Sequence, residues 1–136
     1  MRNLRITTRT LTAVMMCVPF ALHFVSGRPA DEILALLQED GDYSRRKRTF
    51  PRSVYIPALA KLGVKVIDRR QNLKTTVSTF VRDIANPKST WILRVSGHLM
   101  VARGGTIFDN CDQAGSGASL KSQGRRIITH AWKVAA

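Results

Sequence analysis

Three side chains able to do covalent chemistry sit in telling places in this chain: the thiol of Cys17, the imidazole of His98 and the carboxylate of Asp109. Counting relates the last two. Gly104-Gly105, between the apolar runs HLMVA and IF, is a two-residue hairpin signal. With these glycines as the turn, Arg103 pairs with Thr106, Ala102 with Ile107, Met100 with Asp109 and His98 with Cys111. Paired residues share a face, so His98 stands on the side of Asp109 and Cys111, and Asn110 points to the other. Asp109 is then the diagonal neighbour of His98, about 7–8 Å away along the backbone and within side-chain reach. A carboxylate there holds an imidazole in one tautomer and supports its positive charge. The plain alternative is a half-buried strand histidine beside an aspartate that begins a turn.

Cys17 is expected in the first turn of a largely apolar helix, where the helix dipole and free N–H groups stabilise a thiolate. The same N–H groups can receive an oxyanion. Its plain alternative is a small buried core residue. Cys111 competes as a nucleophile on paper, but a strand position lacks helix-end stabilisation, and oxidation can join it to Cys17 instead.

The elements that must position these groups follow from patterning. Residues 1–11 are a basic, irregular lead-in, and a helix opens at Thr12 or just after it and runs to about Ser26, closed by Gly27. Pro19 fits this helix at little cost only if the start is near Cys17. RPADEILALLQEDG is a second helix, with Asp31 and Glu32 in its first turn and Gly41 as its stop. A charged loop follows, then a short helix from about Pro57 to Leu62, a Gly63 cap and a strand through Val64 and Val66. NLKTTVSTFVRDIANP has the spacing of a fourth helix, with Val77, Phe80, Val81 and Ile84 on one side. Strand patterning takes over in TWILRVSGHLMVA and IFDNC, AGSGAS is a low-complexity piece, and RRIITHAWKV is a final strand. Helices first and an antiparallel sheet after them make an α+β fold, expected as one domain over 1–136.

Composition bounds the rest. The chain of 136 residues is 44% hydrophobic, enough for one sizeable core and too much for a disordered tail. Its 22 basic against 9 acidic residues leave a net charge of +13, which favours polyanions: nucleic acid, an acidic protein or an anionic surface. Two cysteines are few for a disulfide scaffold and suit a reducing compartment, although one bridge is compatible with the count. His23, His98 and His130 are too scattered for a metal site, so neither metal nor cofactor is expected. Arg45, Arg46, Lys47, Arg48 and Arg52 surround Phe50 in SRRKRTFPR and can grip phosphates with Phe50 as a stacking platform. The duller reading of that run is a solvated loop. Trp91 and Trp132 are read as core or sheet-edge aromatics.

As an ordered set, these segments resemble the small papain-like cysteine peptidases, many of them phage or bacterial. CVPFALHFVSGRPADEILALL resembles their nucleophile helix, with a glycine about ten residues after the cysteine and a second helix directly behind. VYIPALAKLGVKV is similar to the segment that follows. TFVRDIANPKSTWILRVSGHLMVARGGTIFDN resembles their helix, strand and hairpin, in which GH opens one strand and an Asp closes the next. The likeness spans about residues 12–112 and carries the order Cys, His, Asp. It implies a papain-like fold and an acyl-transfer triad: Cys17 attacks a carbonyl, His98 exchanges the proton and Asp109 orients His98. A peptide or protein is the implied substrate. The usual Gln or Asn before the cysteine is missing from TLTAVMM, which leaves Thr12 or backbone N–H groups as oxyanion support. The competing reading is the same fold without turnover, holding nucleic acid or an acidic host protein.

MMCVPFALHFVSGRP also resembles a secretory signal peptide, with a basic start and an apolar run from Leu11 to Val25. His23 and Pro19 inside the run, and the lack of an A-x-A site, favour retention. The run is shorter than the roughly 20 residues of a membrane span. The expected setting is a cytoplasm, that of a host if the protein is phage-borne, or a virion, with secretion the lesser alternative.

Overall fold

The structure is a computed structural model and describes residues 17–40 and 50–135. Helix α1 spans Cys17–Ser26 and α2 spans Ala30–Asp40. Pro19 falls in the first turn of α1, where a missing N–H costs little. Gly27, at φ 70°, ends the helix with an N–H donated to the His23 carbonyl. Six consecutive residues of α1, Cys17 to Leu22, are buried. This stretch is the inner wall of the core. The helix start expected at Thr12 or just after it lies outside the described residues.

Helix α3 spans Arg52–Lys61, a turn and a half earlier than Pro57 suggests. Proline at that position removes one N–H from the interior of the helix, at a cost of about 3 kcal/mol. Pro57 lies on the exposed side, while Val54, Tyr55, Ala58 and Leu59 are buried on the other, so packing overrides the local penalty. The charged run was also expected to present Phe50 as a platform. Phe50 is instead 1% exposed and belongs to the core under the helices.

The strands are β1 (Val66–Gln71), β2 (Thr90–Val95), β3 (His98–Arg103), β4 (Thr106–Phe108) and β5 (His130–Val134). They form a sheet in the order β1-β5-β2-β3-β4, with every neighbour antiparallel. A tight turn at Ser96-Gly97, with Gly97 at φ 75°, divides TWILRVSGHLMVA into β2 and β3, and His98 opens the second strand as the GH reading expects. Between β1 and β2 lie a short helix α4 (Val77–Thr79) and a π-helical turn over Phe80–Ile84, much shorter than the helix expected there. Ala85 closes that turn by donating to the Phe80 carbonyl five residues back. A last helix, α5 (Ala118–Gln123), was hidden in the low-complexity AGSGAS stretch.

Both faces of the sheet are covered. Ile92, Leu99, Val101, Trp132 and Val134 pack with α1, α2 and α3 in one core. Trp91, Leu93, Met100, Ala102, Ile107 and Ala131 pack with Val77, Phe80 and Val81 in another. A strand covered on both faces cannot alternate between apolar and polar, which explains the continuous apolar runs of β2 and β3. The chain is therefore α+β, with helices and a five-stranded antiparallel sheet among the described residues.

The 104–105 hairpin has the register counted from the sequence as far as it goes: Arg103 opposite Thr106, Ala102 opposite Ile107, Val101 opposite Phe108. It then stops. Asp109 forms a bridge with Asp112 instead of pairing with Met100, and Cys111 lies exposed in that turn instead of opposite His98. The loop that follows packs tightly. Gly115, at φ 67°, lies so close to Phe108 that a Cβ would fall 2.4 Å from its ring. Gly115→Ala therefore combines a disfavoured backbone with a clash, and its urea midpoint should report a loss of about 2 kcal/mol or more.

Candidate active site

His98 opens β3 directly after the Ser96-Gly97 turn, at the end of the sheet against which α1 is packed. Its Nε2 lies 2.7 Å from Oδ2 of Asp109, and the two side chains are 12% and 1% exposed. Cys17 is near enough to act on the same imidazole and raise it. Nε2 is committed to the carboxylate, so Nδ1 is the ring nitrogen left for another partner.

Three short links fix Asp109. Its Oδ1 accepts the Cys111 N–H (3.0 Å), the Asp112 N–H (2.8 Å) and the Ser119 hydroxyl (2.8 Å). The tight turn from Asp109 to Asp112 delivers the first two, and α5 delivers the third. Asp112 builds that helix start. Its Oδ1 accepts the Ser116 N–H and hydroxyl, and its Oδ2 accepts the Gly117 and Ser119 N–H groups. Gly117 has no side chain with which to cap α5, so a carboxylate six residues upstream of the helix does it. The AGSGAS stretch is the loop this carboxylate gathers.

The electrostatics follow from the geometry. Burial acts to lower His98 and is the largest influence on it. The hydrogen bond to Asp109, the nearness of Cys17 and the charges of both outweigh it, and the imidazole is pushed up to about 9. Burial acts to raise Asp109, but its bonds to His98 and Ser119 hold it below the ordinary carboxylate range. The thiol of Cys111 moves the wrong way for a nucleophile: burial pushes it up, and the charges of Asp109 and Cys17 add to this. Both cysteines are free, so the bridge between them is not formed.

Tyr55 of α3, buried edge-on against Trp132 at 6.0 Å, completes the surroundings of Cys17. Burial pushes its phenol up to about 12, against the opposing effects of Arg94 and Arg52, while Cys17 adds to the rise. Arg94 donates to Thr129 Oγ1 at 2.8 Å.

Of the residues singled out in the sequence, Cys17, His98 and Asp109 come together. Thr12, Arg45, Arg46, Lys47 and Arg48 lie outside the described residues. Arg52 is exposed at the start of α3, with its guanidinium on the ring of His130. Trp91 and Trp132 are buried in the core, and Asn110 is buried as well. Ser119, Asp112 and Tyr55 went unnoticed. For Asp112 a signal existed: two aspartates spaced three apart, ahead of a Gly/Ser run, form an Asx-type turn and a cap. Tyr55 had none, because its relation to Cys17 is purely tertiary. Among the described residues no cluster of His, Cys, Asp and Glu could hold a metal ion, and no helix is long and apolar enough to cross a membrane.

The pH dependence of stability follows from the two shifts. His98 is raised above its ordinary 6.5, so its contribution is complete below that pH and is lost as pH rises toward about 9. Asp109 is lowered from its ordinary 3.8, so its contribution is complete above that pH and is lost as pH falls through the folded value. Urea midpoints should therefore be highest between these limits. His98→Gln should flatten the alkaline slope, and Asp109→Asn should cost on the order of 3 kcal/mol at neutral pH.

No family model, curated protein or solved structure matches this chain.

Proposed function

We propose that the protein is a small papain-like cysteine hydrolase acting on an amide of a peptide or protein. One observation carries this reading: an imidazole 2.7 Å from a buried carboxylate, with a cysteine at the first position of a buried helix near enough to raise it. An imidazole that keeps its proton at neutral pH is the partner a thiolate needs.

In the proposed reaction the Cys17 sulfur attacks the carbonyl carbon and an S–C bond forms. The negative charge on the carbonyl oxygen is met by backbone N–H groups at the start of α1. His98 gives its proton to the departing amine as the C–N bond breaks. Water then attacks the thioester with His98 as base, the acid leaves, and the thiolate–imidazolium pair is restored. Asp109 keeps its charge throughout and holds Nε2, so that the opposite nitrogen faces the sulfur. Ser119 and the turn N–H groups position Asp109. Thr12 remains a proposed oxyanion support, and a cytoplasmic or virion setting of bacterial or phage type is proposed with the family likeness.

The charge of +13 favours a second reading, the same fold holding nucleic acid or an acidic protein without turnover. Iodoacetamide separates the two. At about pH 6.5, where an ordinary thiol is almost wholly protonated, Cys17 should alkylate at least about tenfold faster than Cys111, by mass mapping of the two peptides. His98→Ala should abolish the difference. Equal, slow labelling of both cysteines in the unmodified protein would rule out the hydrolase. In a catalytic protein His98 must stay protonated to release the amine, so turnover should fall as pH rises through about 9.

A further inference from the structure

Away from Cys17, α3 leans over the β1 and β5 edge of the sheet and leaves an open cleft of about 550 Å³. That volume lies within the roughly 300–1,000 Å³ range of small-molecule sites. Arg52, Ser53, Ile56 and Pro57 line it from the helix, and Arg69 and His130 from the strands. None of the described residues that line it is acidic.

The cations here differ in how far they are committed. Arg70 also borders the cleft, but its guanidinium is ion-paired with Asp68 at 3.2 Å and lies 5.2 Å over the ring of Trp91, on the opposite face of the sheet. Arg69 is opposite Trp132 in the β1–β5 register, which puts it on the cleft side, and its guanidinium has no hydrogen bond or ion pair with any described residue. Arg52 uses Nη1 on the ring of His130, 2.9 Å from Nε2, which leaves most of its donors unused. His130 lies parallel to Trp132 at 5.6 Å and is pushed down by burial and by the charges of Arg52 and Arg94, so it adds no charge of its own at neutral pH.

Two guanidinium groups therefore approach one space from different elements, with a serine hydroxyl beside them and no acid among the described residues that line it. A monocarboxylate satisfies one such fork. A phosphate monoester carries close to two charges and three acceptor oxygens and satisfies both. Ile56 and Pro57 supply an apolar wall for the organic part of the ligand. We propose that this cleft is a binding site for a small phosphate monoester with an apolar or aromatic body, recognised by Arg52 and Arg69. The site stands apart from the thiol chemistry and does not depend on it.

Phenyl phosphate, titrated calorimetrically into the full chain at about 150 mM salt, tests this. Saturable one-to-one binding with a dissociation constant below about 1 mM is expected, and benzoate should bind at least about tenfold more weakly. Arg69→Ala and Arg52→Ala should each weaken phenyl phosphate by about tenfold or more, with unchanged circular dichroism. Arg69 is exposed on an edge strand, so its loss does not threaten folding. Arg125→Ala, at an exposed arginine outside the cleft, should leave binding intact, as should Cys17→Ala, whatever becomes of the hydrolase reading. Absence of saturation, or equal binding by the two cleft variants and the parent, would overturn the proposal. So would binding of a short oligothymidylate but not of phenyl phosphate, which would assign the charge to nucleic acid.

Discussion

A single buried carboxylate organises the end of this molecule. Asp109 is 1% exposed and accepts from an imidazole, a hydroxyl and two backbone N–H groups. An ionised carboxylate out of water is tolerable only when its lone pairs are filled, and here nearly all of its accepting capacity is used. The consequence runs outward. The 109–112 turn must close to supply two donors, α5 must start where it does to supply Ser119, and His98 must stand at the head of β3 to supply the fourth. An apolar residue at this position would leave four donors facing one another without an acceptor.

Asp112 does for the loop what Asp109 does for the site. It gathers the N–H groups of Ser116, Gly117 and Ser119 and starts α5 at Ala118. Packing reinforces the arrangement. Gly115 is pressed to the ring of Phe108, Phe108 lies 4.7 Å from Phe24, and Phe24 belongs to the same helix as Cys17. The loop beyond the hairpin and the helix bearing the thiol are thereby coupled through three adjacent aromatic and backbone surfaces. This is how an imidazole on a strand and a sulfur on a helix, 81 positions apart in the chain, are held in register.

Charge is distributed unevenly around this core. Arg94 is committed to Thr129, and Arg52 in part to His130. Across the cleft from Arg52, the Arg69 guanidinium has no partner among the described residues and faces a space that none of them lines with an acid. The excess of basic over acidic residues is thus partly structural and partly held open at a cleft, a division that net charge alone cannot express.

Local chemistry was legible without coordinates wherever it depended on neighbours in the chain. The Gly104-Gly105 turn, its first three pairs and the closeness of His98 to Asp109 follow from the period of a strand and the length of a turn. Gly27 as a helix stop follows from its freedom at positive φ. What failed did so where distant segments decide. Pro57 sits inside a helix because the buried face of α3 outweighs a missing N–H. Cys111 left the side of His98 because the Asp109 carboxylate takes the N–H groups of that turn. Sequence alone named a thiol, an imidazole and a carboxylate and the order in which they come. Only tertiary structure put Tyr55 beside the sulfur and Ser119 behind the carboxylate, and set Arg69 across a cleft from Arg52, because those relations depend on which surfaces exclude water together rather than on any spacing along the chain.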